Sequence, residues 1–240
     1  MNLSQLEFSA LLSYAPRGDS PGIRHSKDVM IALKKDGFVG DPPILMSQWV
    51  AQAMQQSRAT LPFDSFFQPN TTLVPTPKSS LMQPNTLWVP LRIATALVGK
   101  GLGKEVASCL VRDRPVPKAA SSMPSERPTA IEHYESMSVQ GRLSKPDEIL
   151  LVDDVITRGA TLLGAANRLA EVFPQTRIRA FAAMRTISNP DEFDKVYVPC
   201  VGTIELRESG ILYGDRSTRQ SKAFEKVVFF QPNEGFRTLD

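Results

Sequence analysis

Residues 148–154 read Glu-Ile-Leu-Leu-Val-Asp-Asp, and no other stretch constrains the fold as strongly. Ile149–Val152 are apolar in succession rather than in alternation. That pattern suits a strand covered on both faces, as in a parallel sheet flanked by helices. Residues 153–161 (DDVITRGAT) read as a turn. Residues 160–173 read as a helix, with Leu162, Ala166, Leu169 and Phe173 on one stripe and Pro174 ending it. Residues 177–184 (RIRAFAAM) and 200–206 (CVGTIEL) read as further strands. Strand, helix and strand in succession predict an α/β fold with a mainly parallel central sheet.

The chain has 240 residues, 42% hydrophobic and 22% charged. That supports a sizeable core and excludes bulk disorder. No internal repeat is visible. The expected organisation is a single domain over 1–240: lead-in helices over 1–69, a core over 70–188 and a C-terminal extension over 189–240. Within it, helices are predicted over 26–35, 44–58, 86–99 and 129–138, and strands over 71–75 and 107–112. Residues 113–128 (DRPVPKAASSMPSERP) are rich in Pro and Ser and basic, which predicts an exposed, mobile loop. Two cysteines, Cys109 and Cys200, rule out a disulfide framework and a four-cysteine zinc site. No apolar run reaches the ~18 residues of a membrane span. The first residues carry Glu7 and no basic cluster, unlike a secretory signal. The expectation is a cytoplasmic protein with no membrane partner. The net charge of +3 suits an anionic ligand but does not by itself argue for nucleic acid.

The chemistry concentrates at Asp153-Asp154-Val155-Ile156-Thr157-Arg158-Gly159-Ala160-Thr161. Two acids stand at the carboxyl end of a strand, the edge where open α/β sheets bind ligands. The following loop offers two hydroxyls, a glycine and the free N–H groups of a helix start, a cradle for phosphate. Acids for hydroxyls or a cation, and an anion nest one turn later, together fit a sugar phosphate. Three other origins fit less well. A receiver domain places its acid pair near the start and needs roughly a hundred residues after it. A Walker B strand needs an upstream phosphate loop, and Gly99-Lys100-Gly101-Leu102-Gly103-Lys104-Glu105 matches neither that motif nor the dinucleotide fingerprint. An ordinary acidic turn leaves the Asp-Asp, Thr, Gly and Thr combination unexplained.

The segment resembles the phosphoribosyl pyrophosphate (PRPP) motif of type I phosphoribosyltransferases: four apolar residues, two acids and a Thr-x-Gly-x-Thr loop. Val74-Pro75-Thr76-Pro77 resembles the Val-Pro-x-Pro strand end of the ComF-like branch, where the next loop holds pyrophosphate. Leu110-x-Arg112-x-Arg114 resembles that branch's strand into its flexible catalytic loop, and Tyr14 with the lysine-bearing 26–35 helix fits its opening. The likeness spans residues 10–186. The chain departs from the branch in lacking the cysteines of a zinc ribbon. It also carries Thr86-Leu87-Trp88-Val89-Pro90 where Arg-Gly-Phe-Asn-Gln is usual, and Arg158 where Thr is commoner.

The resemblance implies a type I phosphoribosyltransferase fold with a mobile hood. It further implies displacement of pyrophosphate from C1 of PRPP by a nitrogen nucleophile. Asp153 and Asp154 would accept hydrogen bonds from the ribose hydroxyls and favour the cationic ring. Residues Val155, Ile156, Thr157, Arg158, Gly159, Ala160 and Thr161 would hold the 5′-phosphate, and Thr76, Pro77, Lys78 and Ser79 the pyrophosphate. Arg112, Arg114, Lys118 and Arg127 are hood candidates for anion contact. Mg²⁺ would be bound near Asp153 and Asp154, mainly through ligand and water. Trp49 and Met54 read as core by spacing, and Trp88 as core or as acceptor-pocket lining. His25 and His133 read as surface or packing residues, and Cys109 as a small buried hydrophobe. Two other functions use the same letters: a PRPP- or nucleotide-binding regulator without turnover, and an accessory protein for nucleic-acid handling, the latter by family analogy alone. The extension could close the acceptor pocket, make a homodimer contact or bind a partner.

Overall fold

A computed structural model describes residues 1–117, 127–141 and 145–206, and the backbone of 214–219. In chain order the elements are β1 (Gln5–Tyr14), α1 (Pro21–Lys35), β2 (Phe38–Val39), β3 (Ile44–Leu45), α2 (Met46–Ser57) and β4 (Thr71–Pro75). Then come α3 (Val89–Gly99), β5 (Glu105–Val106), β6 (Leu110–Arg112), α4 (Ala130–Glu135) and β7 (Met137–Val139). The chain continues with β8 (Glu148–Ile156), α5 (Ala160–Val172), β9 (Arg177–Thr186), β10 (Tyr197–Leu206) and β11 (Gly214–Arg219).

Seven strands form one sheet in the order β11-β10-β1-β9-β8-β4-β5. The β1–β9, β9–β8, β8–β4 and β4–β5 pairings are parallel, whereas β10 runs antiparallel to both β1 and β11. The fold is therefore α/β with a mixed, mostly parallel sheet. Residues of α1, α2 and α3 cover one face, where Leu33, Met54 and Ile93 meet Leu150, Val152 and Phe181. Residues of α5, with Ala130 of α4, cover the other, where Leu162, Leu163 and Leu169 meet Ile149, Leu151 and Ala180. Alternate residues of β8 thus feed two cores, the physical reason its apolar run is unbroken.

Local sequence fixes the helix ends. Ser20 caps α1, accepting the Ile23 N–H at 3.3 Å, ahead of Pro21 in the first turn. Asp36 ends it in the left-handed region, φ 46°. The Asp36 carboxylate accepts the Ser47 N–H at 2.8 Å and pairs with Arg92 at 3.2 Å, tying α1 to α2 and α3. A capping box of Thr129 and Glu132 starts α4.

Several elements differ from the sequence expectations. Residues 5–14 are a strand rather than part of a set of lead-in helices, and that strand lies inside the sheet between β9 and β10. Strand β8 continues through Asp153 and Asp154 to Ile156, where a turn was expected. The helix predicted over 129–138 ends at Glu135, and 137–139 pair with 110–112 as a separate two-stranded ribbon. Residues 197–206, assigned to a C-terminal extension, pair with β1 in the main sheet. Residues 118–126, most of the expected mobile loop, lie outside the described residues. Among the described residues, no helix is long and apolar enough to cross a membrane.

Candidate functional site

Parallel strands deliver their carboxyl ends to one edge of the sheet, and two neighbours deliver the site. Pro75 of β4 pairs with Val152 of β8, and the Thr76 N–H donates to the Val152 carbonyl at 2.9 Å. The 76–79 loop therefore leaves the sheet beside Asp153 and Asp154. These adjacent acids point to opposite faces, as alternation requires. Asp154 faces α1, where Lys34 Nζ sits 2.9 Å from each of its carboxylate oxygens. Asp153 faces the other way and accepts a hydrogen bond from the Thr76 hydroxyl. Its Oδ1 also accepts the Asp154 N–H at 2.9 Å.

Charge is crowded here. Burial, then the neighbouring Asp154 carboxylate, push the Asp153 carboxyl up to about 7, while Lys34 and the Thr76 bond act the other way. Burial is the largest single influence on the Lys34 ammonium and works against it, but Asp154, Asp153 and Tyr14 together make the net shift upward. Two adjacent carboxylates, one of them pushed toward its neutral form by burial and by its neighbour, form a site that gains from a cation. Among the described residues no group of three or more His, Cys, Asp or Glu could hold a metal by itself. The donor set fits Mg²⁺, which keeps waters and takes one or two carboxylates together with substrate phosphates.

After β8 the chain turns through Thr157 and Arg158 to Gly159, which precedes α5 with φ 83°. A Cβ at Gly159 would also sit 2.7 Å from Ile204 of β10, so only glycine fits. Residues 155–162 line a depression with Asp153, His133 and Pro128. Thr157 is exposed, Arg158 half-buried and Ala160 buried. The helix start supplies N–H groups facing this depression, the local chemistry of an anion nest.

The 76–79 loop is braced from three sides. Trp88 Nε1 donates to the Thr76 carbonyl at 2.7 Å. Arg112 Nε donates to the Lys78 carbonyl at 2.9 Å, and the Val116 N–H to the Ser79 carbonyl at 2.9 Å. Thr76 and Pro77 are buried, and Lys78 and Ser79 half-buried. Arg112 is thus a brace and not a hood residue: it is 2% exposed, and it also bonds Ser136 Oγ and His133 Nδ1. Burial lowers its pKa to about 10, against the pull of Asp153 and Asp113. Arg114 is exposed and paired with Glu135 at 2.9 Å. Arg127 is half-buried beside Pro128 of the depression, and Lys118 lies outside the described residues.

Two side chains at the site escaped the sequence reading. Lys34 stands 120 positions from Asp154, and nothing local marks it beyond a helix carrying lysines. His133, expected at the surface or in packing, is buried and touches Thr161 Oγ1 at 3.2 Å. The capping box ahead of it announces a helix but not where that helix docks. Cys109 is buried as expected, and burial raises its thiol pKa.

No protein-family model matches the chain. No curated protein matches it either.

Proposed function

We propose that the chain is a PRPP-binding protein of the type I phosphoribosyltransferase fold, transferring phosphoribosyl to a nitrogen acceptor with release of pyrophosphate. The observation carrying this reading is the convergence of two loops on one acid pair. The 76–79 loop leaves β4 beside Asp153, and the 157–161 loop follows the acid pair at the end of the neighbouring parallel strand β8. PRPP has the matching layout: a 5′-phosphate at one end, a pyrophosphate at the other, and two hydroxyls between.

In this scheme the 157–161 amides and the Thr157 and Thr161 hydroxyls hold the 5′-phosphate. Thr76, Pro77, Lys78 and Ser79 hold the pyrophosphate, with Lys78 as a point charge. Asp153 and Asp154 orient the ribose through its 2′- and 3′-hydroxyls. As the C1–O bond to pyrophosphate lengthens, positive charge grows on the ring, and the two carboxylates stabilise it. The acceptor nitrogen forms the new C1–N bond, its proton leaves to solvent or base, and pyrophosphate departs with the electrons of the broken bond. Mg²⁺, held by Asp153 or Asp154 and by ligand oxygens, would supply charge neutralisation for the pyrophosphate. Preorganised placement does most of the remaining work.

The test is calorimetric titration of PRPP into the purified chain, with and without Mg²⁺, alongside Asp153→Ala/Asp154→Ala. The expected result is Mg²⁺-dependent binding that the double variant loses, followed by pyrophosphate release in an acceptor screen. Absence of binding to the folded wild-type chain overturns the proposal. Binding without pyrophosphate release from any acceptor favours a regulator that kept the ligand site.

A further inference from the structure

On the phosphoribosyltransferase reading just given, the Thr161 hydroxyl must donate to a phosphate. A hydroxyl has one proton and two lone pairs, so what it donates depends on what its neighbours take. His133 Nε2 lies 3.2 Å from Thr161 Oγ1. On the other side of the ring, Nδ1 lies 3.4 Å from Arg112 Nη2. A guanidinium offers donors only. Nδ1 must therefore accept, and the neutral ring keeps its single proton on Nε2. That N–H donates to Thr161 Oγ1 and leaves the Thr161 proton free to face the loop. The other tautomer would take the Thr161 proton and turn lone pairs toward an anion.

Both members of the chain are held in place. Arg112 is buried and anchored by the Lys78 carbonyl and Ser136 Oγ. The His133 ring stays neutral, because burial and then Arg112 lower its pKa to about 3. Helix α4 is pressed onto α5 at Gly164, where a Cβ would meet the Ala130 carbonyl at 2.6 Å and His133 Cβ at 2.8 Å. The Arg168 guanidinium on α5 stacks over the Tyr134 ring at 4.0 Å and donates to the Tyr134 carbonyl at 2.9 Å.

We infer that Arg112 and His133 are positioning residues that set the Thr161 hydroxyl as a hydrogen donor for a phosphate in the 157–161 loop. Because Arg112 also holds the Lys78 carbonyl, the same relay ties that loop to the 76–79 loop.

The chain has only two histidines, His25 and His133, so a ¹⁵N-histidine long-range ¹H–¹⁵N spectrum resolves both rings, and His133→Gln assigns them. The full chain at pH 7 should show His133 as the Nε2–H tautomer. An Nδ1–H or doubly protonated ring overturns the inference, whatever the ligand proves to be. Ribose 5-phosphate affinity gives the second readout. His133→Phe should weaken it about tenfold, while His133→Gln, whose amide N–H can replace Nε2–H, stays within about threefold. In a Thr161→Val background His133→Phe should cost nothing further. Equal losses for Phe and Gln, or additive losses in the double variant, overturn the relay. If ribose 5-phosphate and PRPP both fail to bind the wild type, the phosphoribosyltransferase reading falls, and the tautomer spectrum still decides the relay.

Discussion

At the scale of single residues, Asp153 trades stability for charge. Its carboxyl is raised from an ordinary 3.8 to about 7. Between those values the folded chain keeps a proton that the unfolded chain has released. The stabilisation this gives is complete below pH about 4 and is lost as the pH rises through about 7. Asp153→Asn should therefore stabilise the ligand-free, metal-free protein at pH 8, on the order of 1–3 kcal/mol, and hardly change it at pH 4. Urea titrations at the two pH values check this, and equal effects at both contradict it. Lys34 holds the same carboxyl down. Lys34→Met should thus move the Asp153 titration midpoint above that of wild type, followed by ¹³C-carboxyl NMR. Burying two acids together is unfavourable for folding, and a cation or hydroxyl donor bound there would offset that cost.

At the scale of elements, the contact between α4 and α5 decides whether His133 reaches Thr161. Gly164→Ala places a methyl within 3 Å of the α4 backbone. Helix α4 must shift, at a cost of about 1–3 kcal/mol. The expected outcome is a lower Tm together with loss of the His133 Nε2–H signature. A retained tautomer with an unchanged Tm contradicts it. The start of β8 and helix α5 were legible in sequence because their signals are local, an unbroken apolar run and a periodic stripe ended by Pro174. The continuation of β8 through the acids to Ile156 was not. Strand β4, bounded by its prolines, was legible as well. What else was not legible was longer in range. Strand β1 is buried on both faces along most of its length, and such a run has no alternation to separate it from a helix. Arg112 looked like a hood cation because one strand was read without the antiparallel partner, β7, that folds it inward. His133 and Lys34 enter the site through helix docking, which no local pattern encodes.

At the scale of the whole molecule, the sheet joins segments that a linear reading separates. Strand β1 lies between β9 and β10, pairing Phe8–Tyr14 with Ala180–Thr186 on one side and Gln5–Leu12 with Tyr197–Glu205 on the other. Residues 70–188 alone would keep β4, β5, β8 and β9 but lose the neighbour that closes β9. They would also lose α1 and α2, which cover Leu150, Val152 and Phe181. An exposed parallel edge beside an uncovered apolar face is a template for association rather than a folded domain. A fragment of residues 70–188 should therefore show no cooperative urea transition and should aggregate at concentrations where the full chain stays monodisperse. In the full chain the amides of 8–13 should be among the slowest to exchange, because opening β1 removes the partner of both β9 and β10. A cooperative transition in the fragment, or fast exchange over 8–13, would mean that the acid pair and its two loops stand on a smaller unit than this sheet. Because such a fragment lacks Lys34, its Asp153 should then titrate with Lys34→Met, above the full chain.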